Sequence, residues 1–171
     1  MDVARSGART AGSDFPSYFV SMDVPMWDPA VQGVWTLEVN GAVKAPAKFT
    51  LAQLMALPSR TQRVNHYCVE GWTAVAEWTG VRLSDIAKVV QPMADAGYVD
   101  FVSFDEDYHE SWDIESAMHP QTLIAYAMDG RWLGVRHGAP ANLILTILYC
   151  KYCSGRAGQG RPARHKTANP P

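Results

Sequence analysis

The chain has 171 residues, with 15 Lys and Arg against 17 Asp and Glu, a formal net charge of -2, and three cysteines. That length can bury a sizeable core as one domain without disulfide staples, and an odd cysteine count builds no disulfide framework. A near-neutral balance argues against nucleic acid as a main partner, because phosphate binding needs a concentrated basic face. No uninterrupted apolar run approaches the length that crosses a bilayer.

Residues 1–13 are polar and rich in Gly, Ala, Arg and Ser, and are expected to be a flexible tail. They hold no hydrophobic centre and no twin arginine, so the sequence as written is expected in the cytoplasm, or in the periplasm if a leader precedes it. Residues 14–153 form the expected domain. Val34–Val39 alternates as a half-buried strand, Asn40-Gly41 supplies a tight hairpin turn, and Ala42-Val43 begins the return strand. Thr50 caps a short helix through Leu51, Leu54 and Met55, which Pro58 helps to end.

Thr73–Trp78 alternates weakly and is broken at Thr79-Gly80; Ser84 then caps a helix over Asp85–Val90, stopped by Pro92. Tyr98–Phe104 is a strand, Trp112–Ile114 another, and Leu123–Met128 with Arg131–Val135 makes a hairpin around Asp129-Gly130. Asn142–Tyr152 is strongly apolar, and periodicity does not decide between strand and helix. Residues 154–171 are basic and of low complexity, expected as a disordered tail. The pattern predicts an α+β domain of mixed β-sheets with short helices.

No lysine or arginine stands between Lys88 and Arg131, while Asp95, Asp100, Asp105, Glu106, Asp107, Glu110, Asp113 and Glu115 accumulate there. A solvated acidic face is the plainer explanation, a charged rim near a pocket the other, and an acidic rim does not favour anionic substrates.

Cys68 sits among polar and aromatic residues, His66-Tyr67-Cys68-Val69-Glu70-Gly71-Trp72, whereas structural cysteines usually sit in apolar runs. His66, Glu70 and nearby Arg63 are groups that tune or orient a thiolate. From position alone Cys68 is a nucleophile, a metal ligand or an inert thiol, and His66, His119 and His137 are candidate bases. Cys150 and Cys153 have the spacing of half a zinc knuckle or a redox pair, but no second Cys/His pair accompanies them. His119-Pro120 and His137-Gly138 each place a histidine in a turn, either at a pocket or as plain loop residues.

Taken in order, the chain resembles the sulfite oxidase superfamily of molybdopterin-dependent oxidoreductases, in particular the compact methionine-sulfoxide-reductase-like catalytic subunits. The resemblance runs from about Tyr18 to Pro140. It rests on Trp35–Gly41, His66–Trp72, Glu77-Trp78-Thr79-Gly80-Val81, Glu110–Asp113, Ala117–Leu123, Ala125–Gly130 and His137-Gly138-Ala139-Pro140. It implies a sulfite-oxidase-type molybdopterin-binding fold and a two-electron oxygen-atom transfer on a small sulfite- or sulfoxide-like substrate. It further implies an electron-transfer partner, a haem protein or membrane haem subunit.

By the same resemblance the Cys68 thiolate binds molybdenum beside a molybdopterin, a soft donor for a metal that cycles between oxidation states. Tyr18, Phe19, His66, Ser103 and His137 line the cofactor; Tyr108, from its place in the acidic segment between Asp107 and Glu110, is either the residue that approaches substrate or a plain exposed loop tyrosine. Family members carry an arginine two residues after the proline of the His-Gly-Ala-Pro turn; here Asn142 stands there, and an amide does not replace that charge. Ser21 likewise replaces an arginine. Lys151 is the counterpart of a later cofactor-binding lysine, and the family's final strand is replaced by the basic tail. The expectation is an altered C-terminal end with an open sheet edge and a chain that retains little molybdenum. The alternative function is a cofactor-free, non-catalytic remnant that acts as a binding module.

Overall fold

Alternation in the first half of the chain produces two antiparallel pairs. The structure, a computed structural model, describes residues 8–9, 16–17, 26–67, 73–104, 109–144 and 155–158. The short strands β1 (Ala8–Arg9) and β2 (Pro16–Ser17) pair only with each other. Asp28 caps the single-turn helix α1 (Pro29–Gln32). β3 (Thr36–Val39) and β4 (Ala47–Thr50) are antiparallel, with buried Leu37 opposite buried Phe49.

The β3–β4 connection runs over residues 40–46 rather than turning tightly at Asn40-Gly41. Gly41 has φ of 89°, but the chain then leaves to dock on the end of a later helix, where Lys44 and Ala45 donate to the carbonyls of Gln91 and Val90 at 2.9 and 3.0 Å. Helix α2 (Leu51–Met55) begins as expected, with Thr50 and Gln53 closing a capping box.

β5 (Ser59–Tyr67) and β6 (Thr73–Arg82) form a long antiparallel pair. β6 does not stop at Thr79-Gly80; it shifts register there and continues. A Cβ at Gly80 would overlap the main chain of Ile124, so glycine is what lets the neighbouring strand approach. Helix α3 (Leu83–Val90) follows directly with Arg82, not Ser84, at its N-cap, and ends at Gln91 with φ of 53°.

β7 (Tyr98–Ser103) pairs with β8 (His109–Asp113), and Asp113 caps helix α4 (Ile114–Ala117). β9 (Leu123–Met128) and β10 (Arg131–Trp132) form the expected hairpin, Asp129 and Gly130 both taking positive φ. A 3-10 turn over Val135–His137 leads to β11 (Asn142–Ile144), a strand where strand and helix were both open.

One sheet has the order β10-β9-β6-β5, with β11 also paired to β9; the other has β4-β3-β12-β7-β8. β12 (Gly155–Gly158) corrects the expectation of a wholly disordered tail and a lost last strand. Its backbone runs antiparallel to β7 and parallel to β3, joining two hairpins into one sheet. Main-chain hydrogen bonds need no particular side chains, so a Gly-Arg-Ala-Gly segment can fill that place. The rest of residues 145–171 lies outside the described residues.

Two cores follow from this layering. Trp35, Leu37 and Phe49 pack with Leu54, Leu83, Ile86, Val90, Phe101, Ile124 and Tyr126, which fills the space between the sheets. Val64, Ala74, Ala76, Trp78, Leu123, Ala125, Met128 and Ile144 on strands β5, β6, β9 and β11 form a second cluster with Leu133, which follows β10. These are the mixed sheets and short helices that the sequence predicts for an α+β domain.

Candidate functional site

The strand β5 carries His66, and its burial alternates: Val64 and His66 are buried while Arg63, Asn65 and Tyr67 are exposed. Arg63 therefore projects to the face opposite His66 and does not join it, while its expected nearness to Cys68 involves a residue outside those described. Across the ladder, His66 lies opposite Ala74 and Val64 opposite Ala76. Those small residues leave room on the inner face, and the large Trp78 farther along β6 occupies it. The Trp78 indole Nε1–H donates to His66 Nε2 at 2.7 Å, and the rings meet edge-on with centroids 5.4 Å apart. Burial pushes the His66 pKa down to about 4, so the imidazole is neutral at ordinary pH.

A second polar group forms where the 3-10 turn enters β11. His137 and Asn142 are both buried, and the Asn142 side-chain amide donates to the His137 carbonyl at 3.2 Å. Gly138 between them has φ of 81°, and a Cβ there would lie 2.8 Å from Asn142 Cγ. The turn thus closes over the amide with no space to spare. Burial lowers the His137 pKa, while the Asp129 carboxylate pulls it the other way.

Ser103 is also buried, but at the end of β7 in the other sheet. His119 serves its own turn, where its Nδ1 accepts from the Gln121 N–H at 3.3 Å. Of the sequence-predicted residues, the structure joins His137 with Asn142 and gives His66 a partner the sequence reading missed. The signal for Trp78 was its place in the β6 alternation, on the same face as Ala74 and Ala76, with a donor that a buried indole must satisfy. Tyr18, Phe19, Cys68, Glu70, Tyr108, Cys150, Lys151 and Cys153 lie outside the described residues.

The described residues suit a cofactor that brings its own metal. No cluster of three or more His, Cys, Asp or Glu is arranged to hold an ion among them. What they offer is buried neutral polarity: His66, Ser103, His137 and Asn142. That set is chemically of the kind that bonds the neutral edges of a pterin, with His137 and Asn142 at one turn, His66 on β5 and Ser103 in the other sheet. It does not supply a buried positive charge for a phosphate, since Asn142 is committed to the turn.

Residues 21–154 match the family described as oxidoreductase molybdopterin binding domain. Among curated proteins, the putative protein-methionine-sulfoxide reductase subunit YedZ1 of Azospira oryzae is 39% identical over 129 residues, 75% of this chain and 48% of that protein. The protein-methionine-sulfoxide reductase catalytic subunit MsrP of Xanthomonas axonopodis pv. citri is 32% identical over 174 residues, 85% of this chain and 54% of that protein. The chain spans about half the length of these relatives. In fold it is similar to the sulfane dehydrogenase SoxCD of Paracoccus pantotrophus, with a TM-score of 0.61 at 22% identity over 64% of this chain and 33% of that one. The chain belongs to the oxidoreductase molybdopterin-binding domain family, of the sulfite oxidase superfamily.

Proposed function

We propose that this chain is the molybdopterin-binding catalytic domain of an oxidoreductase that reduces a neutral sulfoxide. The observation that carries the reading is its similarity, at 39% and 32% identity, to subunits named as protein-methionine-sulfoxide reductases. The balanced reaction consumes two electrons and two protons per sulfoxide and yields a thioether and water. The electrons come from a partner protein, a haem protein or membrane haem subunit in our reading. When bound, molybdopterin supplies a metal that exchanges an oxygen atom with a two-electron change.

The chain's own residues have defined parts in this reading. Cys68 provides the thiolate for molybdenum, and Tyr108 approaches the substrate. Tyr18, Phe19, Ser103, His137 and Lys151 hold the cofactor, and His66 stands beside it as a buried neutral ring. Asn142 acts on the cofactor only through the His137 turn that it braces. Exposed Asp113 and Glu115, with partly exposed Asp100 and Glu110, keep an acidic surface around β7, β8 and α4 that opposes an anion such as sulfite.

One observation favours a second reading, a fold of this family without cofactor: Asn142 supplies no charge for the phosphate and is already bonded to His137. Metal analysis of the purified protein beside Cys68→Ser separates the two. Molybdenum present and lost in the variant supports the enzyme, and no molybdenum in either supports the remnant. With a reduced dye as electron source, methionine sulfoxide reduction is expected. Rapid sulfite oxidation with inert sulfoxides would overturn the substrate assignment.

A further inference from the structure

The hydrogen bond between Trp78 and His66 runs in one direction only. An indole nitrogen donates and never accepts, so the His66 Nε2 that faces it at 2.7 Å must carry a lone pair. In a neutral imidazole the hydrogen then resides on Nδ1. With the hydrogen on Nε2, two N–H groups would point at each other between two buried rings. Trp78 is 2% exposed and packed among Val64, Ala74, Ala76, Leu123 and Met128, so the indole has no room to turn away.

We propose that Trp78 is a positioning residue, whose indole N–H fixes His66 as the Nδ1–H tautomer, so that the residue two before Cys68 presents a donor at Nδ1 and never a lone pair. The inference rests on the proposed molybdopterin site for its purpose, and on the Trp78–His66 geometry for its content. Whatever accepts from Nδ1 must offer a lone pair. Thiolate, dithiolene sulfur and pterin carbonyl are all acceptors, and a ring locked as a donor is matched to them without competing as a base or as a ligand to the metal.

Histidine side-chain nitrogen NMR on the labelled full chain, with and without cofactor, tests the assignment. His66 is expected to show a pyridine-like Nε2 and a pyrrole-like Nδ1, and the Trp78 indole proton to be shifted downfield and slow to exchange. In Trp78→Phe the ring volume is largely kept and the donor is lost, so Nε2 should move toward the averaged position of mixed tautomers. A pyrrole-like Nε2 in the unaltered protein overturns the proposal, as does a Trp78→Phe spectrum with His66 unchanged. Should Trp78→Phe not fold, the spectrum of the unaltered protein decides alone. Metal content is measured in parallel: a several-fold loss of bound molybdenum in folded Trp78→Phe is expected. Absence of molybdenum from the unaltered protein would remove the cofactor reading while leaving the tautomer result to stand or fall by its own signals.

Discussion

Asn142 holds the main-chain carbonyl of His137 from beneath Gly138, with its amide 3.2 Å from that oxygen. This chain thus uses a neutral side chain to fix the turn that carries a buried histidine. Gly138 is part of the same device, since it takes a left-handed backbone against the Asn142 side chain.

Gly138→Ala should cost roughly 2–4 kcal/mol, the left-handed conformation contributing about 1–2 of this and the contact with Asn142 the rest. Asn142→Ala alone should cost about 1–2 kcal/mol for the lost hydrogen bond and packing. Because the second change removes two of the three atoms that an added Cβ meets, Cγ and Nδ2, while keeping the Asn142 Cβ 2.9 Å away, the double variant should lose somewhat less than the sum. Urea unfolding of the three variants measures this, and strict additivity would show that the contact is relieved elsewhere.

Acid should weaken the cofactor-free chain before its carboxylates titrate. The folded pKa of His66 is lowered to about 4 from an ordinary 6.5, so between those values the unfolded chain binds more protons. Stability is therefore fully present above about pH 6.5 and falls as the pH drops toward 4. The loss for His66 is roughly 3 kcal/mol from a shift of this size. His137 is shifted in the same direction and adds to it. Unfolding free energies from pH 7 to pH 4, compared with His66→Phe, should show a smaller slope in the variant.

Asp85 is 5% exposed and accepts from Lys88 at 2.6 Å and Arg82 at 2.8 Å, and these cations hold its carboxyl below the usual range. This depressed group contributes stability above its unfolded pKa, lost as the pH falls below that range. Asp85→Asn should cost roughly 1–3 kcal/mol, and Lys88→Ala under about 1, because the Lys88 side chain is 72% exposed and its charge is screened. Thermal melts in low and high salt check both.

Gly80→Ala should also be strongly damaging, since the added carbon would overlap the Ile124 carbonyl and force β6 and β9 apart. A loss of about 3 kcal/mol or failure to fold is expected from such overpacking. Solubility and circular dichroism of the variant read this directly.

The parts of the fold with local chemical signals were legible in the sequence. Asp129-Gly130 needs positive φ twice and made its hairpin, and Thr50 with Gln53 made its capping box. Where a long-range contact decides, local reading failed. Gly80 reads as a strand breaker on its own, yet it is the point where β9 crosses close. Asn40-Gly41 reads as a two-residue turn, yet the chain is drawn away by carbonyls at the end of α3. β5 was hidden because five of its residues, Ser59, Arg60, Thr61, Arg63 and Asn65, are polar and exposed beside only two buried ones, Val64 and His66. In the site, Cys68 stood out by its neighbours, while Trp78 did not, because a tryptophan in an alternating strand is ordinary core until its register places it against a histidine.

The exposed side of β5 has its own consequence for the life of the chain before and outside assembly. β5 ends its sheet among the described strands, a nine-residue ribbon that would accept any extended polypeptide as the next neighbour. Arg60 and Arg63 stand exposed along it, so a second copy lying alongside would bring like charges together and be repelled. Arg63, first read as an aid to a thiolate, thus stands with Arg60 as charge on an open edge that opposes pairing with a second copy. Replacing both with threonine should be felt in colloidal behaviour at high protein concentration.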